Sequence, residues 1–114
     1  MNDAQREALR DIAELGYNLQ PEVVNMDIWW CRTVGCLLGH GIKNLPSVQA
    51  LGVMLAIYDE VYKQETPCYK SLTGAGAISA ILGLDYAEIN GIFNSRTTIE
   101  ASNKILDLLG VEHI

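Results

Sequence analysis

The chain has 114 residues, 49% of them hydrophobic, and carries eight Lys and Arg against fourteen Asp and Glu for a formal net charge of −6. That length and apolar content suit one domain with one core. The acidic balance removes the electrostatic attraction to phosphate that dominates nucleic-acid affinity, so direct DNA or RNA binding is not expected. The longest apolar runs fall far short of the roughly 20 residues that span a bilayer, and the first ten residues hold Asp3, Arg6, Glu7 and Arg10 rather than a secretory pattern. A cytoplasmic protein with three free thiols, Cys31, Cys36 and Cys68, is expected.

In chain order, Asn2 followed by Gln5 signals a helix start, and Ala8, Ile12 and Leu15 share one face up to a stop at Gly16. The first predicted helix covers 3–15. Residues 17–30 read as an ordered connector, with Pro21 in a short helical turn. Val34, Leu37, Leu38 and Ile42 predict a helix over 32–42. Ser47 caps a long predicted helix over 47–64, because Val48, Leu51, Leu55, Tyr58 and Tyr62 recur at steps of three and four. Residues 67–74 read as a loop and 77–82 as a short helix stopped by Gly83. Asp85 with Glu88, and Thr97 with Glu100, open two further helices, the last with Ile99, Ile105, Leu106 and Leu109 inward and Gly110 as its stop. No strand alternation is evident. The expected fold is all-α, a compact bundle of five or six helices forming a single helical domain over 1–114.

Chemically able residues crowd together only between Asp27 and Gly41. Cys31, Cys36 and His40 form a C-x4-C-x3-H set able to offer three ligands to zinc, with Cys68, Asp27 or His113 as a fourth. Paired C-x2-C or H-x3-H hooks are missing, so packing of Cys36 and a hydrogen-bonded His40 is the favoured reading, and no cofactor is expected. The same pair read as nucleophile and base lacks the usual attack geometry, and neither a P-loop nor a G-x-S-x-G elbow occurs, so no enzyme is expected. Gly35 and Gly39, four apart on one helical face, allow close approach of another helix. Trp29 and Trp30 point opposite ways in an extended chain, so one ring could serve a partner while the other anchors the core, but burial of both rings under the first helix is the favoured reading. Tyr17, Asp59, Glu60 and Glu65 join Trp29 and Trp30 as candidate partner-binding residues. Residues 77–93 have a helix-turn-helix layout, yet the second helix offers Asp85, Glu88 and Asn90 rather than basic groups, so a structural hairpin is preferred to a DNA reader.

The segment M-D-I-W-W-C-R-T-V-G-C-L-L-G-H, followed by A-I-L-G-L and I-F, resembles small uncharacterised proteins of tailed bacteriophages and prophages that read M-x-x-W-x-x-x-x-x-C-G-T-x-x-C-L-A-G-H or -G-W. Met26, Cys31, Thr33, Cys36, Gly39, His40, Leu82-Gly83-Leu84 and Phe93 carry the match; Arg32 stands where those proteins have glycine, and the Trp-to-Cys spacer is shorter. The resemblance implies an origin rather than a mechanism. Phage accessory proteins of this size often block a host enzyme or defence complex, so the expectation by analogy is a binder of a host protein, with homodimerisation open. The alternative is a small metal-binding or helix-turn-helix-like regulatory module.

Overall fold

The computed structural model describes residues 1–31, 34–59, 61 and 64–112. Among the described residues there are six α-helices, α1 (Asp3–Asn18), α2 (Leu37–Asn44), α3 (Pro46–Gln49), α4 (Ala75–Leu82), α5 (Tyr86–Phe93) and α6 (Thr98–Leu109). They are joined by five short strands, β1 (Trp30–Cys31), β2 (Val34–Gly35), β3 (Met54–Asp59), β4 (Gln64–Tyr69) and β5 (Leu72–Thr73). The strands form one sheet in the order β2-β1-β4-β3, with β5 also on β4, and every paired strand is antiparallel. The fold is therefore mixed α and β, which overturns the all-α expectation.

The helices with local signals form where expected. Asn2 and Gln5 close a reciprocal capping box on α1, as do Asp85 and Glu88 on α5, and Thr97 caps α6. Gly83 and Gly110 end α4 and α6 in the left-handed conformation that glycine adopts without strain. Gly16, in contrast, does not stop α1. It is buried against α6, where a side chain would overlap Ser102 Oγ and meet the Thr98 carbonyl oxygen at 3.0 Å. Ile99 is 50% exposed rather than inward, while Ile105, Leu106 and Leu109 are buried as the periodicity implies.

The long helix expected over 47–64 is the main departure. Helix α3 ends at Gln49, and Gly52, at φ +94°, turns the chain into β3. The run Val53-Met54-Leu55-Ala56-Ile57 satisfies a strand as readily as a helix, because a short apolar run carries no decisive period. Partner β4 contains Pro67, opposite Leu55, and the pairing register shifts between Leu55 and Ile57. Proline has no N–H to donate to a ladder, so an irregularity beside it is the expected accommodation. Lys70, at φ +54°, makes the tight turn from β4 to β5, so the predicted loop at 67–74 is largely strand.

One cluster of buried apolar side chains holds the molecule together. Ala8, Leu9, Ile12 and Ala13 of α1 lie at its centre, packed by α2, α3, α4 and α6, with α5 joining through α4 and α6 and with Trp30, Val53 and Pro67 added from the sheet side. α4 and α5 do form the helical hairpin read from 77–93. Its outer face shows Tyr86, Ala87 and Asn90, beside Asp85 and Glu88, and no Lys or Arg.

Two helical glycines should respond in opposite directions to alanine. Gly91 lies on exposed α5 with open space where a Cβ would stand, so Gly91→Ala stabilises by about 0.5–1 kcal/mol through the unfolded chain. At Gly39 the Cβ would overlap the Trp29 carbonyl oxygen and stand 2.8 Å from its carbon, so Gly39→Ala costs about 3 kcal/mol or more. Urea denaturation of both variants checks the pair.

Candidate functional site

The segment between η-turn Pro21–Val23 and α2 is held by its own backbone. Asn25 N–H donates to the Gly35 carbonyl at 3.0 Å, and Cys36 N–H to that of Ile28 at 2.8 Å. Asn25 Oδ1 accepts from Asp27 N–H at 3.0 Å, which folds the loop back on itself. The Trp29 backbone then lies directly on Gly35 and Gly39, and its N–H donates to Gln64 Oε1 at 2.7 Å. The close approach read from this glycine pair is present, but one glycine is on a strand and the element they admit is a loop, not a helix.

The expected helix over 32–42 starts only at Leu37, which changes what Cys36 and His40 do. Cys36 is the N-cap, and its Sγ accepts from Gly39 N–H at 3.4 Å. Burial pushes its thiol from 9.0 up to about 11, outweighing the opposing hydrogen bonds from the backbone. His40 is 4% exposed; its Nε2 lies 2.6 Å from the Val23 carbonyl oxygen, which can only accept, so Nε2 carries the proton. The Trp30 ring meets the His40 ring edge-on, centroids 4.8 Å apart. Cys31, half-buried on β1, Cys36 and Cys68 are all free thiols, and Cys68 Sγ contacts the Thr66 carbonyl at 3.4 Å. Among the described residues no group of three His, Cys, Asp or Glu side chains converges to hold a metal. His113 lies outside them.

The two tryptophans divide, which corrects the favoured expectation that both rings are buried. Trp30 is 5% exposed and belongs to the core, so it leaves the set of candidate contacts, whereas Trp29 is half-buried at the surface. Trp29 lines a cleft of about 270 Å³ with Asp27, Cys36 and Asn94. That cleft shares Met26, Asp27 and Asn94 with a polar cleft of about 630 Å³ that also includes Asn25, Ser95 and Arg96. Val24 and Arg96 in turn border an apolar cleft of about 340 Å³ walled by Tyr17, Leu19, Pro21 and Ile99. Trp29 and Tyr17 thus mark the two ends of a continuous line of clefts between the 24–29 loop and the 94–99 segment.

Tyr17 is half-buried and its hydroxyl donates to Asn103 Oδ1. Of the acidic candidates, Asp59 closes β3 opposite Gln64, Glu65 is half-buried on β4 opposite Trp30, and Glu60 lies outside the described residues. Asp59 and Glu65 belong to the β3–β4 hairpin, and Glu65 lines none of these clefts. Asn94, Ser95 and Arg96 went unrecognised in the sequence; the one available sign was a positive charge, Arg96, just before a helix cap in an acidic region.

No protein-family model, curated protein or solved structure matches the chain. Among the described residues, no helix is long and apolar enough to cross a membrane.

The Cys36 thiol makes stability depend on alkaline pH. Below pH 9 it is neutral in both states; between 9 and about 11 only the unfolded chain ionises it, so unfolding is increasingly favoured as pH rises through that window. Urea denaturation should show a loss of about 2 kcal/mol by pH 11 in the parent chain that Cys36→Ser, which keeps a capping oxygen, does not share.

Proposed function

We propose that this chain is a small phage-encoded binding protein that works in the cytoplasm of a bacterial host by occluding a surface of a host protein, for example part of a defence or nucleic-acid-handling complex. Binding rather than catalysis is its activity. The observation that carries this reading is the line of clefts from Trp29 to Tyr17, an amphipathic aromatic at each end with polar Asn25, Asn94 and Ser95 between. Rigid aromatic anchors set in partly buried positions with a polar surround are the usual makings of an interaction hot spot. The net charge of −6 adds a preference for a basic partner surface and speeds encounter with it. The phage origin rests on the sequence resemblance, and the host-protein role on analogy with phage accessory proteins.

The test is capture from bacterial lysate on immobilised protein, followed by titration of the purified partner. A saturable partner is expected, with affinity reduced about tenfold or more by Trp29→Ala and by Asn94→Arg, which fills the middle of the clefts. Absence of any saturable protein partner, or a partner indifferent to both substitutions, overturns the reading.

A further inference from the structure

The apolar cleft at the Tyr17 end has the composition of a ligand pocket. Its volume of about 340 Å³ lies in the range of small-molecule sites, which are mostly apolar with a few fixed polar groups. Tyr17, Leu19, Pro21 and Val24 supply one apolar side, and Ile99 supplies the other. Ile99 is half-exposed on a helix whose neighbouring apolar residues Ala101, Ile105 and Leu106 are buried, so its side chain is spent on this cleft rather than on the core.

Arg96 stands where the apolar cleft meets the polar one and lines both. Its guanidinium forms no ion pair among the described residues. The nearest acid along the chain, Glu100, is already engaged: Oε2 accepts the Arg96 backbone N–H at 3.2 Å, and Oε1 is 3.5 Å from Lys104 Nζ. Thr97 Oγ1 is taken up by the Glu100 N–H and the Tyr17 hydroxyl by Asn103. Among the described residues, the permanent charge of Arg96 is therefore the cleft's one uncommitted ionic group, set against apolar walls.

We infer that this pocket binds a carboxylate carried on a compact apolar group. A guanidinium matches a carboxylate with two parallel hydrogen bonds, and the apolar body fills the space between Tyr17 and Ile99. A primary amine is repelled by Arg96. A phosphate brings more oxygens than these walls can satisfy, and each one left unpaired would cost binding energy. The inference is independent of the host-protein reading, since it concerns the isolated chain and needs no partner from a lysate. Two sources carry this chemistry, a free small acid and the carboxyl end of a polypeptide.

The experiment follows backbone amide resonances of the purified full chain during titration with N-acetyl-phenylalanine, its amide, a hexapeptide ending in phenylalanine, and that peptide amidated at its end. Shifts centred on Tyr17, Leu19 and Ile99 are expected for the acids, with each amide binding about tenfold or more weaker. In Arg96→Gln the acid and amide should become equivalent, and Ile99→Ser should weaken both. Both substitutions are at exposed positions, and an unchanged spectrum elsewhere confirms that the variants fold. A hexapeptide that binds more tightly than N-acetyl-phenylalanine identifies a chain terminus as the source; equal or weaker binding identifies a free acid. No shift at these residues up to roughly 10 mM acid, equal binding of acid and amide, or a preference that survives Arg96→Gln overturns the assignment.

Discussion

The contact on which the rest of the site depends is between the Trp29 backbone and two glycines. Gly35 and Gly39 have no Cβ where one would run into the Trp29 carbonyl, so the loop ahead of β1 can lie flat on the start of α2. Once it does, the Ile28 carbonyl reaches Cys36 N–H, the Gly35 carbonyl reaches Asn25 N–H, and Val23 comes within reach of His40. A connector that would otherwise be loose becomes a wall. The neighbouring residue, Trp30, is then committed to the core, and Trp29 stays at the surface.

The same contact gives the uncommon residues of this stretch their structural partners. Cys36 is used as a helix cap, and burial pushes its thiol up to about 11. His40 spends its Nε2 proton on a backbone carbonyl and its ring on Trp30. Two residue types associated with catalysis and zinc are here parts of the hinge between loop, strand and helix. One layer out, residues 24–27 share the polar cleft with Asn94, Ser95 and Arg96.

The sheet has a different role. β4 is the strand on which β1, β3 and β5 all pair, and it carries a buried proline against the core. Its ladder ties the two halves of the chain, because β1 precedes α2 while β5 leads straight into α4. Glu65 of the β3–β4 hairpin sits apart from the line of clefts.

Capping and stopping signals were legible in the sequence because they are local: Asn2 with Gln5, Asp85 with Glu88, Thr97, Gly83 and Gly110 each act within a few residues of themselves. They determined α1, α4, α5 and α6, whereas the division of Trp29 from Trp30 was not settled by alternation alone. The region 47–69 was not, because Val48, Leu51, Leu55, Tyr58 and Tyr62 satisfy a helical period while the run from Val53 to Ile57 serves equally as a strand. Strand pairing between β3 and β4, and between β4 and β1 some 35 positions earlier, is a non-local energy that no window of sequence contains. Arg96 became a candidate ligand group only when α6 docked against α1 and set it beside Tyr17, and Gly16 proved to be a packing glycine, not a stop, for that same reason. The sequence by itself thus determined which helices cap themselves; the tertiary structure decided the sheet and the clefts, since both exist only where distant segments share a surface.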